Sequence, residues 1–257
     1  MPSYARKHQL EGALIYHVYN RSHGKVFIFK DQEDFEHFGD LLKIYKEEFR
    51  AKIYHWVIMS NHYHLLLELE TPERISKMMA GLARAYTHYH HRKYKTSGYL
   101  WQGRFKMQAV EKNSYLLACG RYIERNPVRA GLVSLAWDYA YSSCSFYCEG
   151  KQDGLTEESL SFGEFGDNQE QRQKAYKEFL KNFDQEEETH FQQFEHPVGN
   201  QMFVDRLFKE GFRLRPRHRG RPRGKNLFVN VTVFFLTVLA AKLKVYELGP
   251  SKRRFPR

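Results

Sequence analysis

The sequence predicts an α+β fold in which helices cover an antiparallel β-sheet. Short segments rich in β-branched and aromatic residues alternate with longer segments whose apolar residues recur every three or four positions. Only Ser60-Asn61 separates the apolar segments 53–59 and 62–69, and this turn signal indicates a hairpin with antiparallel pairing. With 257 residues, 42% of them hydrophobic, the chain can bury at least one sizeable core.

The first half of the pattern predicts a strand, a helix and a hairpin. The strand over 14–20 is rich in β-branched and aromatic side chains. A helix begins at Asp31, because apolar residues then recur at helical spacing from 35 to 45. The hairpin strands over 53–59 and 62–69 complete this half.

The second half predicts a helix, a short strand and a last helix. Thr71-Pro72 is a typical N-cap and first-turn pair, so a helix runs from there to about residue 92. A short strand over 104–110 precedes a helix that Asn113 caps and that ends near Pro127. The resulting order is ferredoxin-like (RRM-like): an antiparallel sheet with helices on one face, followed by a C-terminal extension.

The charge distribution divides the chain into three parts. Residues 1–150 carry a net charge of +6, residues 151–208 carry −7 and residues 209–257 carry +12. We therefore expect a domain over 1–150, an acidic and partly helical extension of unknown role over 151–208, and a basic tail over 209–257. The overall charge of +11 favours nucleic acid or another anionic surface as the partner.

The remaining composition indicates a cytoplasmic protein. Three cysteines without a CxxC pair predict neither a disulfide framework nor a zinc site. The first ten residues lack the apolar region of a secretory signal. The apolar run 227–241 is shorter than the ~20 residues that span a bilayer, so we expect no membrane partner.

Two histidines on the second hairpin strand form the first candidate site. His62 and His64 point to the same face of a strand, roughly 7 Å apart at the backbone, and could converge on one metal ion. Tyr63 points to the other face, towards the core. Two half-exposed strand histidines without a ligand are the alternative interpretation.

The same His-Tyr-His tripeptide recurs in a predicted helix and provides an internal comparison. Residues two apart on a helix do not face each other, so His88 and His90 should not chelate. We expect them on a solvated or DNA-facing surface.

A tyrosine and an amide on the last helix form the second candidate site. Tyr122 and Asn126 are four residues apart and share a helix face. An amide oxygen can bind a hard cation, and a tyrosine beside a metal can act as a nucleophile. The pair taken alone is equally typical of an ordinary helix surface.

Taken together, these motifs resemble the single-tyrosine HUH transposases, and in particular the REP-associated tyrosine transposases. The resemblance covers about residues 10–148, and the tripeptide Tyr141-Ser142-Ser143 departs from the family's usual Trp-Ser-Ser. The motifs that carry it are YHVYNR at 16–21, MSNHYH at 59–64, WQGRF at 101–105 and YIERNPVRAGLV at 122–133.

The resemblance implies a metal-dependent DNA strand transferase. It assigns His62, His64 and Asn126 as ligands of a divalent cation, Mg²⁺ or Mn²⁺, and Tyr122 as the nucleophile. It implies cleavage and rejoining through a 5′-phosphotyrosine intermediate. It also leaves a homodimer open, because in some relatives the tyrosine helix serves the partner's metal site.

The resemblance also implies single-stranded or hairpin DNA as the substrate, and the basic and aromatic residues that interleave over 84–95 are compatible with it. In the tail, residues 219–222 (Arg-Gly-Arg-Pro) resemble an AT-hook for duplex A·T-rich DNA; a disordered basic tail of non-specific affinity is the alternative. The expected DNA contacts are Arg21, Arg84, Arg92, Lys93, Arg104, Arg125, Arg129, Arg219 and Arg221.

Two other function classes compete with the transposase. One is a non-catalytic nucleic-acid-binding module, built from a ferredoxin-like sheet and a basic tail. Such a module does not need the set of His62, His64, Tyr122 and Asn126, and would instead expose aromatic residues on its central strands. The other is an HUH nickase of plasmid replication or transfer, which the single tyrosine and the short domain disfavour.

Overall fold

A computed structural model describes residues 15–70, 74–112, 114–183, 185–194 and 197–209. The expected helix caps Thr71 and Asn113, the AT-hook-like residues Arg219 and Arg221, and the apolar run 227–241 lie outside the described residues. Within the described residues, no helix is both long enough and apolar enough to cross a membrane.

The domain is an antiparallel β-sheet with the strand order β2-β3-β1-β4. The chain order of elements matches the prediction, which confirms the ferredoxin-like α+β class. The strands and helices of this part are β1 (Ile15–Arg21), α1 (Gln32–Phe49), β2 (Lys52–Met59), β3 (His62–Glu68), α2 (Arg74–Tyr94), β4 (Lys106–Val110), α3 (Ser114–Glu124) and α4 (Asn126–Arg129).

Local sequence explains two helix boundaries. The Asp31 side chain accepts a hydrogen bond from the backbone N–H of Asp34 at 3.1 Å and caps α1 as predicted. Helix α3 ends at Glu124. Pro127 then lies in the first turn of the short α4, where a residue without an N–H leaves no hydrogen bond unmade. The helical path therefore continues beyond the predicted end near residue 126.

Helices lie on both faces of the sheet. As expected, α1 and α2 cover one face, on which Tyr63, Leu65 and Leu67 form part of the main core. The α3 helix packs on the opposite face, which corrects the expectation that helices would cover one face only. The reason is that this face is also apolar at Val57 and Leu66, and it buries the apolar side of α3.

The acidic extension packs against the domain. Its helices are α6 (Gln169–Lys181), α7 (Gln185–Gln193) and α8 (Gln201–Lys209), and α5 (Cys144–Glu149) precedes it. Aromatic residues of α5 and α6 form a third cluster with Leu117 of α3. Val198 pairs with the edge strand β4, since its N–H donates to Ala109 O at 2.9 Å and its carbonyl accepts from Glu111 N at 2.8 Å.

Candidate active site

His62 and His64 lie side by side on β3, on the face that α3 covers. Their ring centroids are 5.3 Å apart and the ring planes are nearly perpendicular. Tyr63 between them is fully buried in the core of the other face. The alternation of side chains along the strand therefore places both imidazoles where the sequence predicts them.

Each imidazole uses its Nδ1 atom for a hydrogen bond within the protein. His62 Nδ1 lies 2.6 Å from Asn61 Oδ1, and His64 Nδ1 lies 2.8 Å from Nε2 of His17. Metal-ligating histidines commonly use one ring nitrogen for such a bond and the other for the ion. This arrangement leaves the Nε2 atoms for a cation.

Tyr122 and Asn126 complete the group of predicted residues in the same chain. The ring of Tyr122 lies 5.7 Å from that of His64 and 5.6 Å from that of His17. Asn126 Nδ2 donates to the carbonyls of Tyr122 and Ile123 at 3.1 and 3.0 Å. Its amide oxygen is therefore the group that remains for His62; burial lowers the pKa of this histidine, and the hydrogen bond with Asn126 opposes part of the shift.

The donor set fits a divalent cation. Two imidazole nitrogens and one amide oxygen suit Mn²⁺ or Mg²⁺ and leave coordination positions for substrate oxygens. No cluster of three or more His, Cys, Asp or Glu side chains offers a different ion site among the residues that the structure describes.

Burial determines the protonation states of this group. It lowers the pKa of His17 to about 3 and of His62 to about 4, and it places that of His64 well below the usual range. The rings are therefore neutral at pH 7, as a cation requires. Burial also raises the pKa of Tyr122 to about 12, although the positive charge of Arg129 opposes the shift.

These shifts predict an acid-sensitive fold. The unfolded chain binds protons at His17 and His62 near pH 6.5, whereas the folded chain binds them only near pH 3 and 4. The unfolded state therefore gains protons first, and the free energy of unfolding falls as the pH drops below 6.5. Protonation of His17 in the unfolded chain alone should lower the free energy of unfolding by about 1.4 kcal/mol for each pH unit below 6.5. The loss is about 2 kcal/mol at pH 5.

Urea unfolding of the metal-free protein at pH 7.5 and pH 5 measures this loss. In His17→Gln, the difference in the free energy of unfolding between the two pH values should be smaller by about 2 kcal/mol, since glutamine does not titrate in this range. Equal pH dependence of the variant and the wild type would contradict the assignment to His17.

Arg129 lies directly beside the candidate nucleophile. Its guanidinium carbon is 4.1 Å from the centroid of the Tyr122 ring, and its Nη1 donates to the carbonyl of Tyr122 at 3.3 Å. The carboxylate of Glu188 in α7 forms ion pairs with Arg129 at 3.3 Å and with Arg125 at 3.0 Å. Arg125, an expected DNA contact, is only 7% exposed and also stacks on Phe183.

The end of the extension covers the site. The ring of Phe191 packs 5.5 Å from Tyr122, and that of Phe194 packs 4.5 Å from His17 and 5.4 Å from Tyr19. With this segment in place, Tyr122 is 4% exposed and His64 is 3% exposed. Phe191 and Phe194 therefore shield Tyr122 and His64 from solvent.

The other expected DNA contacts are divided between solvent and protein partners. Arg84 and Arg92 are exposed and line a groove between α1 and α2, and Arg104 is also exposed. Arg21 is half-buried and donates to Gln102. Lys93 instead binds three acidic side chains, those of Asp31, Glu33 and Asp34, at 2.7–2.9 Å, so it has little positive charge to offer to DNA.

The second His-Tyr-His tripeptide does not bring its histidines together. His88 is exposed in the groove between α1 and α2, as expected for a solvated surface. His90 is buried against Tyr86 and Tyr94, so the expectation that it is solvated is wrong. The helix rotates by about 200° over two residues and places the rings on different sides.

Sequence reasoning did not find His17, Phe191 and Phe194. His17 belongs to the strand motif YHVYNR, but its role becomes visible only when β1 is placed between β3 and β4. The two phenylalanines lie in a segment without a recognisable motif.

The first half of the chain is similar to proteins of a known family. Residues 12–126 match the family model of IS200-like transposases, and the match includes all four strands, Tyr122 and Asn126. A solved structure of a REP-associated tyrosine transposase bound to a REP hairpin is similar, with 18% sequence identity and a TM-score of 0.49 over 62% of this chain and 93% of that chain. No curated protein matches the chain.

Proposed function

We propose that the protein is a transposase of the IS200-like family, whose model residues 12–126 match, and that it cleaves and rejoins single-stranded or hairpin DNA through a 5′-phosphotyrosine intermediate. One observation carries the proposal: the ring of Tyr122 lies beside the His62–His64 pair in the same chain. Because a single chain supplies all of these residues, the site does not need a second copy of the protein.

The residues of this site divide into ion ligands and a nucleophile. His62 and His64, through Nε2, and Asn126, through its amide oxygen, would hold Mn²⁺ or Mg²⁺. Such an ion supplies Lewis acidity that offsets the charge developing on a phosphodiester under attack. Asn61, whose Oδ1 lies 2.6 Å from His62 Nδ1, would hold that imidazole ring in position.

Tyr122 would attack the phosphorus of the scissile bond. The Oη–P bond forms, the bond between phosphorus and the 3′ oxygen breaks, and the phenol proton is released while the 3′ oxygen leaves as a hydroxyl. The positive charge of Arg129 beside the ring favours the phenolate. The covalent link retains the energy of the broken bond, so a 3′-hydroxyl can reverse the step without ATP.

The binding-module alternative has weaker support. A binding sheet of this class exposes aromatic residues on its central strands. Here the central strands β1 and β3 present His17, Tyr19, His62 and His64 on the face concerned. Tyr19 is only partly exposed, and α3 and α7 cover this face.

The proposal is tested by incubating the protein with hairpin and single-stranded oligonucleotides and Mn²⁺, followed by denaturing gels. We expect a protease-sensitive band of covalent adduct that EDTA removes. The variant His62→Ala with His64→Ala should lose the adduct but keep DNA affinity. If the wild type binds these DNAs and forms no adduct with either ion, the binding module is the better description.

Uncovering the site should accelerate formation of the covalent protein–DNA adduct. The double variant Phe191→Ser with Phe194→Ser removes the rings that pack on Tyr122 and His17, so we expect several-fold faster adduct formation in the same assay. Phe208→Ser changes a half-exposed phenylalanine of α8, whose buried residues Phe203 and Leu207 belong to the core of the other sheet face, and serves as the matched control. A rate that is unchanged or lower in the double variant would contradict a blocking role.

The exposed arginines of α2 should contribute to DNA binding without contributing to chemistry. Arg84→Ala with Arg92→Ala should weaken hairpin binding and reduce the slope of log affinity against log salt by about 0.7–0.9 for each lost phosphate contact. Fluorescence anisotropy over a range of salt concentrations measures both quantities. Lys174→Ala with Lys177→Ala on α6 removes the same charge elsewhere and should leave the slope unchanged; equal slopes for all three proteins would remove this groove from the interface.

A further inference from the structure

His17 is a fully buried histidine to which neither the sequence motifs nor the proposed chemistry assigns a direct role. It lies on β1 opposite Gln108 of β4, two residues before Tyr19, which is opposite His64 of β3. The sheet order therefore places His17 between a candidate metal ligand and a side-chain amide.

The contact between the two histidines links their proton positions. His17 Nε2 lies 2.8 Å from His64 Nδ1, and the rings stack at 5.1 Å with an angle of 25°. A neutral imidazole carries one N–H donor and one acceptor nitrogen, so one ring must donate to the other. When His64 offers the lone pair of Nε2 to a cation, its proton is on Nδ1, and His17 Nε2 must accept.

Gln108 lies on the far side of His17, across the β1–β4 pair. Its Nε2 donates to the carbonyl of His190 at 3.2 Å. Burial lowers the pKa of His17, and the Gln108 side chain opposes part of this shift, but His17 Nδ1 and Gln108 Oε1 form no hydrogen bond of ordinary geometry. The orientation of the His17 ring therefore depends on its contact with His64 and on the aromatic rings around it.

Aromatic rings pack around His17. The ring of Phe194 packs 4.5 Å from that of His17, and the rings of Tyr122 and Phe191 lie at 5.6 and 6.5 Å. A buried ring nitrogen that loses its partner cannot find water in such a pocket and pays the cost of desolvation.

We propose that His17 is a positioning residue that orients His64 and keeps its proton on Nδ1, so that Nε2 faces the divalent cation. The inference rests on the proposed function, because it takes His64 as a ligand of the cation. Loss of such a partner typically costs 10–100-fold in metal affinity.

Two substitutions separate the hydrogen bond from packing. His17→Phe keeps an aromatic ring under Phe194 but removes the acceptor, whereas His17→Gln retains an amide oxygen that can reach the position of Nε2. His90→Phe is the matched control, since His90 is also a buried histidine among aromatic rings but belongs to α2 on the other face of the sheet.

The measurement is the affinity of the full-length, DNA-free protein for Mn²⁺, followed by the electron paramagnetic resonance signal of the free ion. We expect His17→Phe to bind Mn²⁺ 10–100-fold more weakly, His17→Gln to bind within a few-fold of wild type and His90→Phe to match it. Circular dichroism melting checks each fold. If His17→Phe does not fold, His17→Leu takes its place, with a similar loss expected, since leucine also removes the acceptor.

Each outcome of this measurement either supports or overturns the proposed role of His17. Wild-type affinity in His17→Phe, or in His17→Leu where that variant takes its place, would overturn the role of His17, and so would an equal loss in this variant and in His17→Gln. In these cases the proposed function stands as long as the double variant of His62 and His64 loses Mn²⁺. If the wild type binds no Mn²⁺ in a way that depends on His62 and His64, the metal-dependent function itself fails, and the inference fails with it.

Discussion

Replacing Tyr122 by phenylalanine is expected to abolish covalent protein–DNA adducts while leaving hairpin affinity within a few-fold of wild type. The substitution removes only the hydroxyl and retains the ring that packs against Phe191, His64 and the guanidinium of Arg129. Without that oxygen no phosphotyrosine can form, so we expect a loss of at least ~10³-fold. Denaturing gels measure the adduct, and anisotropy measures the affinity.

Tyr115→Phe is the matched control, because Tyr115 is a buried tyrosine on the same helix and in the same apolar cluster. It should form adducts at nearly the wild-type rate. If adducts persist in Tyr122→Phe, another phenol is the nucleophile, and Tyr19 would be examined next, since its ring lies 4.7 Å from that of His64.

Replacing Glu124 by alanine is expected to destabilise the folded protein strongly. The buried carboxylate of Glu124 accepts hydrogen bonds from Ser143 Oγ at 2.6 Å and Tyr176 Oη at 2.8 Å, and it pairs with His55 Nδ1 at 2.9 Å. Its removal leaves these buried groups without their acceptor, at a cost of about 3–5 kcal/mol.

Urea unfolding monitored by circular dichroism measures this loss. Glu164→Ala removes an exposed carboxylate of the extension and should change the free energy of unfolding by less than about 0.5 kcal/mol. Similar unfolding midpoints for the two variants would show that the network around Glu124 contributes little. The network matters for the site because Glu124 lies two residues after Tyr122 and links α3 to β2 and α6.

The parts of the site that depend on local periodicity could be predicted from the sequence. Alternation along β3 places His62 and His64 on one face, and the helical repeat places Tyr122 and Asn126 together. The run over 53–59, apolar except at His55, also indicates a strand that is buried on both faces, and this signal could have predicted a helix on each side of the sheet.

Contacts between distant parts of the chain could not be predicted in this way. Lys93 and Arg125 have the charge and position of DNA contacts, but acidic residues about 60 positions away neutralise them. Phe191 and Phe194 reach the site across about 70 or more residues from Tyr122. No local pattern in the acidic extension indicates which surface these side chains cover.

The covering of Tyr122 by Phe191 and Phe194 has a consequence during synthesis of the chain. Domains fold as units from the N-terminal side during synthesis. The candidate ion ligands and Tyr122 are complete by residue 126, whereas Phe191 and Phe194 are translated later. We therefore expect an interval during synthesis in which these two rings do not yet cover Tyr122.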